Sequence, residues 1–299
     1  VSDGEARERD YQIGNTAFRA RPLEPALYIV ATPIGNLGDM TLRGIETLAA
    51  ADVIACEDTR VSRVLLDRYG ISRRPYAYHE HNAGEAGPKL IEALLAGKSV
   101  ALVSDAGTPL VSDPGGRLVP EAKAAGIRVV PIPGASSVLA ALTASGLFTD
   151  SFYFAGFLSS KQGQRRSKLE SLKTLDAALV FFESPNRAAA TLMDMVEVFG
   201  PKRQASLCRE LTKTYETVVT LPLAELAVEF DGEDRIRGEV VLVVGPPEGD
   251  QNIARTDDDV DALLRALVLE MSPAKAAGEA SRMTGRPKGE LYQRLLAMK

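Results

Sequence analysis

Leu27-Tyr28-Ile29-Val30-Ala31-Thr32-Pro33-Ile34-Gly35-Asn36-Leu37-Gly38 is the stretch on which the fold turns. Leu27–Thr32 is a short apolar run stopped by Pro33, the pattern of a buried strand. A loop with two glycines follows, and then Leu42, Ile45, Leu48 and Ala49 recur at helical spacing. A buried strand that delivers a Gly/Pro loop into a helix is the repeating unit of a parallel α/β sheet. In such sheets ligands bind beyond the carboxyl ends of the strands.

Working outward, the alternation continues. Val53–Cys56 reads as a strand, and Val61, Val64, Leu65 and Tyr69 as a helix stopped by Gly70. Leu90, Ile91, Leu94 and Leu95 repeat the helical pattern up to Gly97. Ser99–Val103 and Ile127–Ile132 are further strands, with a helix over Leu118–Ala125 between them. Residues 26–145 therefore read as an N-terminal α/β domain built on a mostly parallel sheet. A second α/β domain is expected over 146–247, with strands at Phe152–Phe157, Ala178–Phe182, Ala205–Cys208, Tyr215–Thr220 and Glu239–Val244. No helix fits between Ala205–Glu210 and Tyr215–Thr220, which predicts antiparallel pairing there. Gly146 and Asp150 interrupt the pattern at the boundary.

After Gly245-Pro246-Pro247 a polar linker leads to helix formers, and 255–299 reads as a helical tail. Ala262–Leu269, Pro273–Met283 and Pro287–Met298 are its helices, the last two separated by Thr284-Gly285-Arg286, as in a helix-turn-helix. Residues 275–299 hold six Lys or Arg against two Glu, which suits either a solvated cap or a nucleic-acid contact. Residues 1–25, polar and without an apolar period, read as a flexible leader.

A chain of 299 residues has room for two domains and an appendage. No apolar run approaches the roughly 20 residues that span a bilayer. The N-terminal residues mix acids and arginines with no apolar core, so no signal peptide is expected and the protein reads as cytoplasmic. Cys56 and Cys208 lie in strand-like runs as buried thiols, too few for a zinc site. His79-Glu80-His81-Asn82 offers two histidines, also too few, and no metal is expected. A net charge of −5 argues against a protein coated in nucleic acid but leaves local basic patches open.

Three loops carry the chemistry. Pro33–Gly38 ends the first strand and opens a helix, whose free N–H groups favour anions; alone it is equally a tight turn. Ser104-Asp105-Ala106-Gly107-Thr108-Pro109-Leu110-Val111-Ser112-Asp113-Pro114-Gly115 also follows a buried strand. It concentrates more Gly, Pro, Asp and Ser/Thr than a connecting turn needs. Pro133-Gly134-Ala135-Ser136-Ser137 again joins strand to helix. Three such loops on one sheet edge mark a small-molecule site.

These runs, with Glu57-Asp58-Thr59-Arg60, Phe182-Glu183-Ser184-Pro185-Asn186-Arg187, Arg209-Glu210-Leu211-Thr212-Lys213 and Gly238-Glu239-Val240-Val241, resemble those of the tetrapyrrole methylases. Among these the chain is most similar to the family of small-subunit ribosomal RNA methyltransferase I, over about residues 26–246. The tail is similar to the helix-turn-helix at the end of some members. The resemblance implies two α/β domains with S-adenosylmethionine in the cleft between them. It implies 2′-O-methylation of a cytidine ribose in the decoding region of small-subunit rRNA, usually by a homodimer. By position it puts Pro33, Asp105, Ala106, Gly107, Thr108, Pro109, Ser136 and Ser137 at the cofactor. Phe157, Leu158, Leu211, Gly238, Glu239 and Val240 join them from the second domain.

Glu57, Arg60, Glu183, Arg187 and Lys213 are the catalytic candidates, with Asp58 and Glu210 beside them, each at or just after a strand end. In-line positioning can supply roughly 7–11 kcal/mol of barrier reduction, and a base typically about 10²–10⁴-fold. For Asp58, Thr59 and Arg60 a helix cap is an equal alternative, and for Lys213 a surface ion pair. Arg187 at a helix start opposes the dipole and hints at an anionic partner. Arg63, Arg73 and Arg74 in one segment, with Arg60 and Arg68, and Lys161, Arg165, Arg166 and Lys168 in another, are the RNA-binding candidates. Aromatics are only 6% with no Trp, which disfavours a stacking platform. A tetrapyrrole carbon methylase on the same scaffold and a metabolite-sensing nucleic-acid-binding regulator are the alternatives.

Overall fold

The computed structural model describes residues 9–112, 116–147, 149–231, 237–247, 257–284 and 286–298, without the side chains of Arg282 and Met283. Of the segments singled out above, 1–8, Asp113–Gly115 and Gly285 lie outside the described residues. Residues 1–246 form one compact unit and 247–299 another.

The first unit opens with a hairpin where a flexible leader is expected. Strand β1 (Asp10–Ile13) pairs antiparallel with β2 (Thr16–Arg19) around Gly14, which has φ +59°. Two turn residues, Gly14 and Asn15, suit a tight hairpin. Tyr11 and Ile13 alternate inward onto the core, Tyr11 stacks on Phe18 with centroids 5.5 Å apart, and Gln12 N donates to Tyr69 O at 2.7 Å. The strand is too short for its period-2 pattern to stand out in sequence.

A five-stranded parallel sheet follows, in the order β5-β4-β6-β3-β7. It comprises β3 (Leu27–Val30), β4 (Val53–Cys56), β5 (Tyr76–Ala77), β6 (Val100–Val103) and β7 (Val129–Ile132). Strands β3 and β6 are buried along their whole length, because helices cover both faces. One apolar cluster packs Ile45, Leu48 and Leu66 on one face, and another packs Leu90, Leu94 and Leu118 on the other. Helices α1 (Leu42–Ala50), α2 (Thr59–Arg68), α3 (Ala83–Leu95) and α4 (Leu118–Ala124) are the crossovers. The Thr41 hydroxyl caps α1 by accepting from Gly44 N, and Asp58 caps α2 by accepting from Arg60 N.

The second sheet is mixed, in the order β11-β10-β12-β9-β8. It contains β8 (Phe152–Phe157), β9 (Ala178–Glu183), β10 (Gln204–Arg209), β11 (Thr217–Pro222) and β12 (Val240–Val244). The β10–β11 pair is antiparallel, as the missing helix between them predicts, and only β8–β9 is parallel. Helices α6 (Gln162–Leu172), α7 (Ala188–Phe199) and α8 (Leu223–Glu229) cover one face. The other face is covered by α5 (Ser137–Ser145), whose Val138, Ala141 and Leu142 pack with Val180, Cys208 and Val243. A domain boundary after residue 145 thus leaves α5 on the N-terminal side in sequence but in the core of the second sheet. Ile34 of the first loop sits in that same core.

The second unit is three helices, α9 (Asp257–Glu270), α10 (Pro273–Thr284) and α11 (Lys288–Ala297). Val260, Leu264, Ala277, Ala280, Leu291 and Leu295 close its core. Arg286 pairs with Asp257 at 2.7 Å, and Arg294 bonds both Asp257 and Asp261, so these two arginines face acids of α9. Among the described residues no helix is long and apolar enough to cross a membrane.

Candidate active site

The carboxyl ends of β3, β4, β6 and β7 lie side by side, and their loops are stitched together. Thr32 N donates to Gly107 O at 2.8 Å and Gly107 N to Thr32 O at 3.0 Å, a two-bond bridge between the first and second loops. Gly107 adopts φ +79°, which a side chain would strain, and a Cβ there would press on Ile34. The Thr108 hydroxyl donates to Ala135 O at 3.3 Å, which joins the second loop to the third. Ser136 caps α5. Leu110 and Ser112 carry positive φ (78° and 65°), as do Glu210 and Thr212 (52° and 67°). Non-glycine residues adopt this region rarely and at a cost, and they concentrate at functional loops.

A cavity of about 400 Å³ opens between these loops and the edge of the second sheet where β8 and β9 end and β12 begins. Ile34, Phe157, Phe182, Val240 and Val241 give it apolar walls, while Ser112, Ser137, Ser184 and Glu239 supply polar groups. The Phe157 and Phe182 rings meet edge to face at 5.5 Å. Of the expected cofactor residues, Ala106, Ser137, Phe157, Gly238, Glu239 and Val240 line it. Leu158 and Leu211 do not: both side chains are buried in the cores of the second sheet. Pro109 is buried as well. Pro33 and Asp105 face a separate cavity of about 250 Å³ against α2.

The charged candidates are mostly engaged with one another. Glu183 is buried, and its carboxylate accepts from Ser184 N at 2.6 Å and the Thr191 hydroxyl at 2.7 Å, and pairs with Arg187 at 2.7 Å. Arg187 also donates to Leu158 O at 3.3 Å. The anionic partner that a cation at a helix start calls for is therefore internal, and Glu183, which also lines the larger cavity, already accepts from three donors. Lys213 pairs with Glu210 at 2.9 Å and Glu239 at 3.1 Å. Burial works against its charge, but the hydrogen bonds it donates to both carboxylates outweigh this and hold the ammonium above its ordinary range. A lysine so held is a poor general base. Lys213 also rests on the first loop, where a Cβ on Gly35 would meet its side chain.

At the start of α2, Asp58 takes a bidentate grip on the Arg60 guanidinium at 2.6 Å. The Arg60 hydrogen bonds draw its carboxyl down to about 2, so Asp58 serves as cap and not as base. Asp105 Oδ1 accepts from Asp58 N at 3.0 Å, and partial burial pushes its carboxyl above the ordinary carboxylate range. Glu57 is half-buried directly after β4. Burial raises the Cys56 and Cys208 thiols, and both cysteines are free. In the histidine turn, Asn82 accepts from His79 N and donates to Ala77 O, a staple for the loop.

The basic segments divide. Arg165 is not the solvent-facing arm expected: it is buried, 2.5 Å from the equally buried Asp194 of α7. Arg166 spans Asp194 and Glu197, both at 2.6 Å. Burying a charge is tolerable only with a partner, and Asp194 is that partner. Arg63 donates to Arg73 O at 2.9 Å and pairs with Asp67, and Arg73 donates to Asp52 O at 3.2 Å, which fixes the turn before β5. Arg60, Arg68, Arg74, Lys161 and Lys168 stay exposed, with Lys168 5.4 Å over the Tyr153 ring. The pattern of the sequence does not single out Asp194, Ile34 or Ser62 as special; each is one residue within an ordinary helix or loop.

Residues 26–227 match the family described as tetrapyrrole (corrin/porphyrin) methylases, and residues 254–299 match the RsmI C-terminal HTH domain. Over 289 residues the chain is 63% identical to a ribosomal RNA small subunit methyltransferase I of Mesorhizobium japonicum, covering 96% of this chain and 97% of that one. Among solved structures it is similar to a cobalamin biosynthetic enzyme, cobalt precorrin-4 methyltransferase (TM-score 0.57, 19% identity, 74% of this chain and 95% of that one). It is also similar to uroporphyrin-III C-methyl transferase from Thermus thermophilus complexed with S-adenyl homocysteine (TM-score 0.52, 22% identity, 74% and 97%). These two likenesses establish the fold.

Proposed function

The chain belongs to the tetrapyrrole methylases and, within them, to the ribosomal RNA small subunit methyltransferase I family, and from that premise we propose that it methylates the ribose 2′-oxygen of a cytidine in the decoding region of small-subunit rRNA. It is an S-adenosylmethionine-dependent methyltransferase. The identity that it shares with its Mesorhizobium relative along nearly the whole chain carries the RNA reading. The corrin alternative rests on the fold alone, at 19% identity.

The residues of the 400 Å³ cavity fit the cofactor. Apolar walls from Ile34, Phe157 and Phe182 suit an adenine ring, and Gly238 brings backbone to the wall. Ser137 and Ser112 offer hydroxyls to a polar end. When bound, the cofactor supplies a methyl on a sulfonium, which needs no activation by the protein. What the chain supplies is position and exclusion of water. The Thr32–Gly107 bridge and the Lys213 pairs hold the loops that line the cleft, and Arg60 and Lys161 offer exposed charge for phosphates. We assign the proton of the ribose hydroxyl to neither engaged carboxylate: Asp58 grips Arg60, and Glu183 is already shared among three donors. A ribosomal RNA substrate supports a cytoplasmic location, and the family resemblance supports a homodimer.

The reading is tested by incubating small ribosomal subunits or their RNA with labelled S-adenosylmethionine and the protein. Digestion to nucleosides should yield labelled 2′-O-methylcytidine. Label on a base carbon or nitrogen, or on a tetrapyrrole and not RNA, would overturn it.

A further inference from the structure

We propose that the smaller cavity, between the Thr32-Pro33 loop and α2, receives the cytosine base of the nucleotide whose ribose is methylated. The inference rests on the RNA reading above and gives the substrate a place beside the cofactor cleft. At about 250 Å³ the cavity is below the roughly 300–1,000 Å³ of sites for larger ligands, and it suits one ring system. Its walls are Pro33, Leu37, Val61 and Val64, and Ser62 and Asp105 bring it polar groups. Apolar sides with a polar end match a pyrimidine, whose faces are apolar and whose edge bonds. Bases drawn out of folded RNA are held between apolar side chains and read along that edge.

Three observations support an occupant. First, Ser62 is 5% exposed, and its hydroxyl makes no hydrogen bond to any described residue. The Cys56 thiol lies close enough to feel it, but without hydrogen-bond geometry. A buried hydroxyl without a partner is costly, and Ser62 is among the residues that line this cavity. Second, Val61 and Val64 are 44% and 61% exposed on a helix whose other outward residues are polar, so the rim is apolar where a surface helix need not be. Third, consecutive residues divide between the two cavities: Pro33 and Asp105 line this one, and Ile34 and Ala106 the larger. Neighbouring Cα atoms are about 3.8 Å apart, and a ribose 2′-oxygen is three bonds from the base nitrogen. A base seated here brings its 2′-oxygen to the boundary of the cofactor cleft.

Asp105 also selects. A carboxylate only accepts, whereas a hydroxyl donates or accepts. Cytosine offers a donating amino group at position 4 and an accepting nitrogen at position 3. Uracil reverses both, and its carbonyl would face the Asp105 carboxylate. A site built to bond one edge rejects the other by the unpaired groups it leaves.

The test uses the full chain, Val64→Trp to fill the cavity from its exposed rim, and Asp105→Asn to put an amide that can also donate in place of the carboxylate. Val64→Trp should retain cofactor affinity by calorimetry to within about twofold and lose at least about tenfold in kcat/KM on small-subunit RNA. Asp105→Asn should narrow the preference for cytidine over uridine at the target position by at least about fivefold, the worth of one hydrogen bond. Wild-type turnover in Val64→Trp overturns the proposal. So does a matching loss of cofactor affinity, which would give the cavity to the cofactor while the RNA reading stands. If the wild-type chain transfers no methyl to RNA, that reading falls and the proposal with it.

Discussion

The carboxylate of Glu210 occupies the space that a side chain on Gly238 would fill. Glu210 Oε1 accepts there from Glu239 N and from Lys213 Nζ, both at 2.9 Å, so the glycine is what lets one carboxylate tie two loops at the cleft wall. Gly238→Ala would add strain at φ +85°, about 1–2 kcal/mol, and drive Glu210 off both donors. Cofactor affinity should fall at least about tenfold by calorimetry, with the fold retained by circular dichroism. An unchanged affinity would remove this contact from the organisation of the site.

Lys213 should act as a fixed cation. Its folded-state pKa lies above the ordinary 10.5, so its ion pairs stabilise fully below that pH and fade only as pH rises through the higher folded value. Lys213→Ala should therefore lower turnover by the same factor at about pH 6 and about pH 9. A loss that grows toward one end of the range would make Lys213 a titrating catalyst.

Arg165→Ala should damage the fold before it touches RNA. It leaves Asp194, 1% exposed, with one guanidinium partner removed, at a cost of about 3–5 kcal/mol in urea denaturation at neutral pH. The Asp194 carboxyl is lowered: burial opposes this, but hydrogen bonds from Arg166, Gln162 and Arg165 prevail. Its contribution is thus present above the ordinary 3.8 and lost as pH falls through the lower folded value, so wild type and variant should converge in acid. Equal stability at neutral pH would show that the clasp is idle.

Arg60, Arg74 and Lys161 are the exposed cations to test for phosphate contact. Replacing any one by Gln should weaken RNA binding more at low salt than at high salt, and reduce the slope of log affinity against log salt by about one. A loss independent of salt would mean that the residue does not meet phosphate.

The parallel sheet and the three loops at its edge were legible because strand burial and Gly/Pro punctuation are local signals. The β10–β11 pairing is legible for the same reason: no helix fits between Glu210 and Tyr215. What local pattern cannot carry is who meets whom. Arg165 and Arg166 look alike in sequence and both reach Asp194 on a later helix, yet Arg165 is buried there while Arg166 stays part-exposed and also spans to Glu197. Leu158 and Leu211 belong to motifs of the site but spend their side chains in the core. Pro33 and Ile34 are neighbours in one loop and face different cavities, a division set by the backbone and invisible in composition. The hairpin at Asp10–Arg19 was missed because four-residue strands leave too few alternations to count.

The most direct measurement is nucleoside mass spectrometry of small-subunit rRNA from cells that lack this protein, before and after the purified chain and S-adenosylmethionine are added. One cytidine of the decoding region should gain a single methyl on its ribose, and none should appear when cofactor is withheld. An unmodified cytidine after addition, or a methyl gained on a base, would contradict the account.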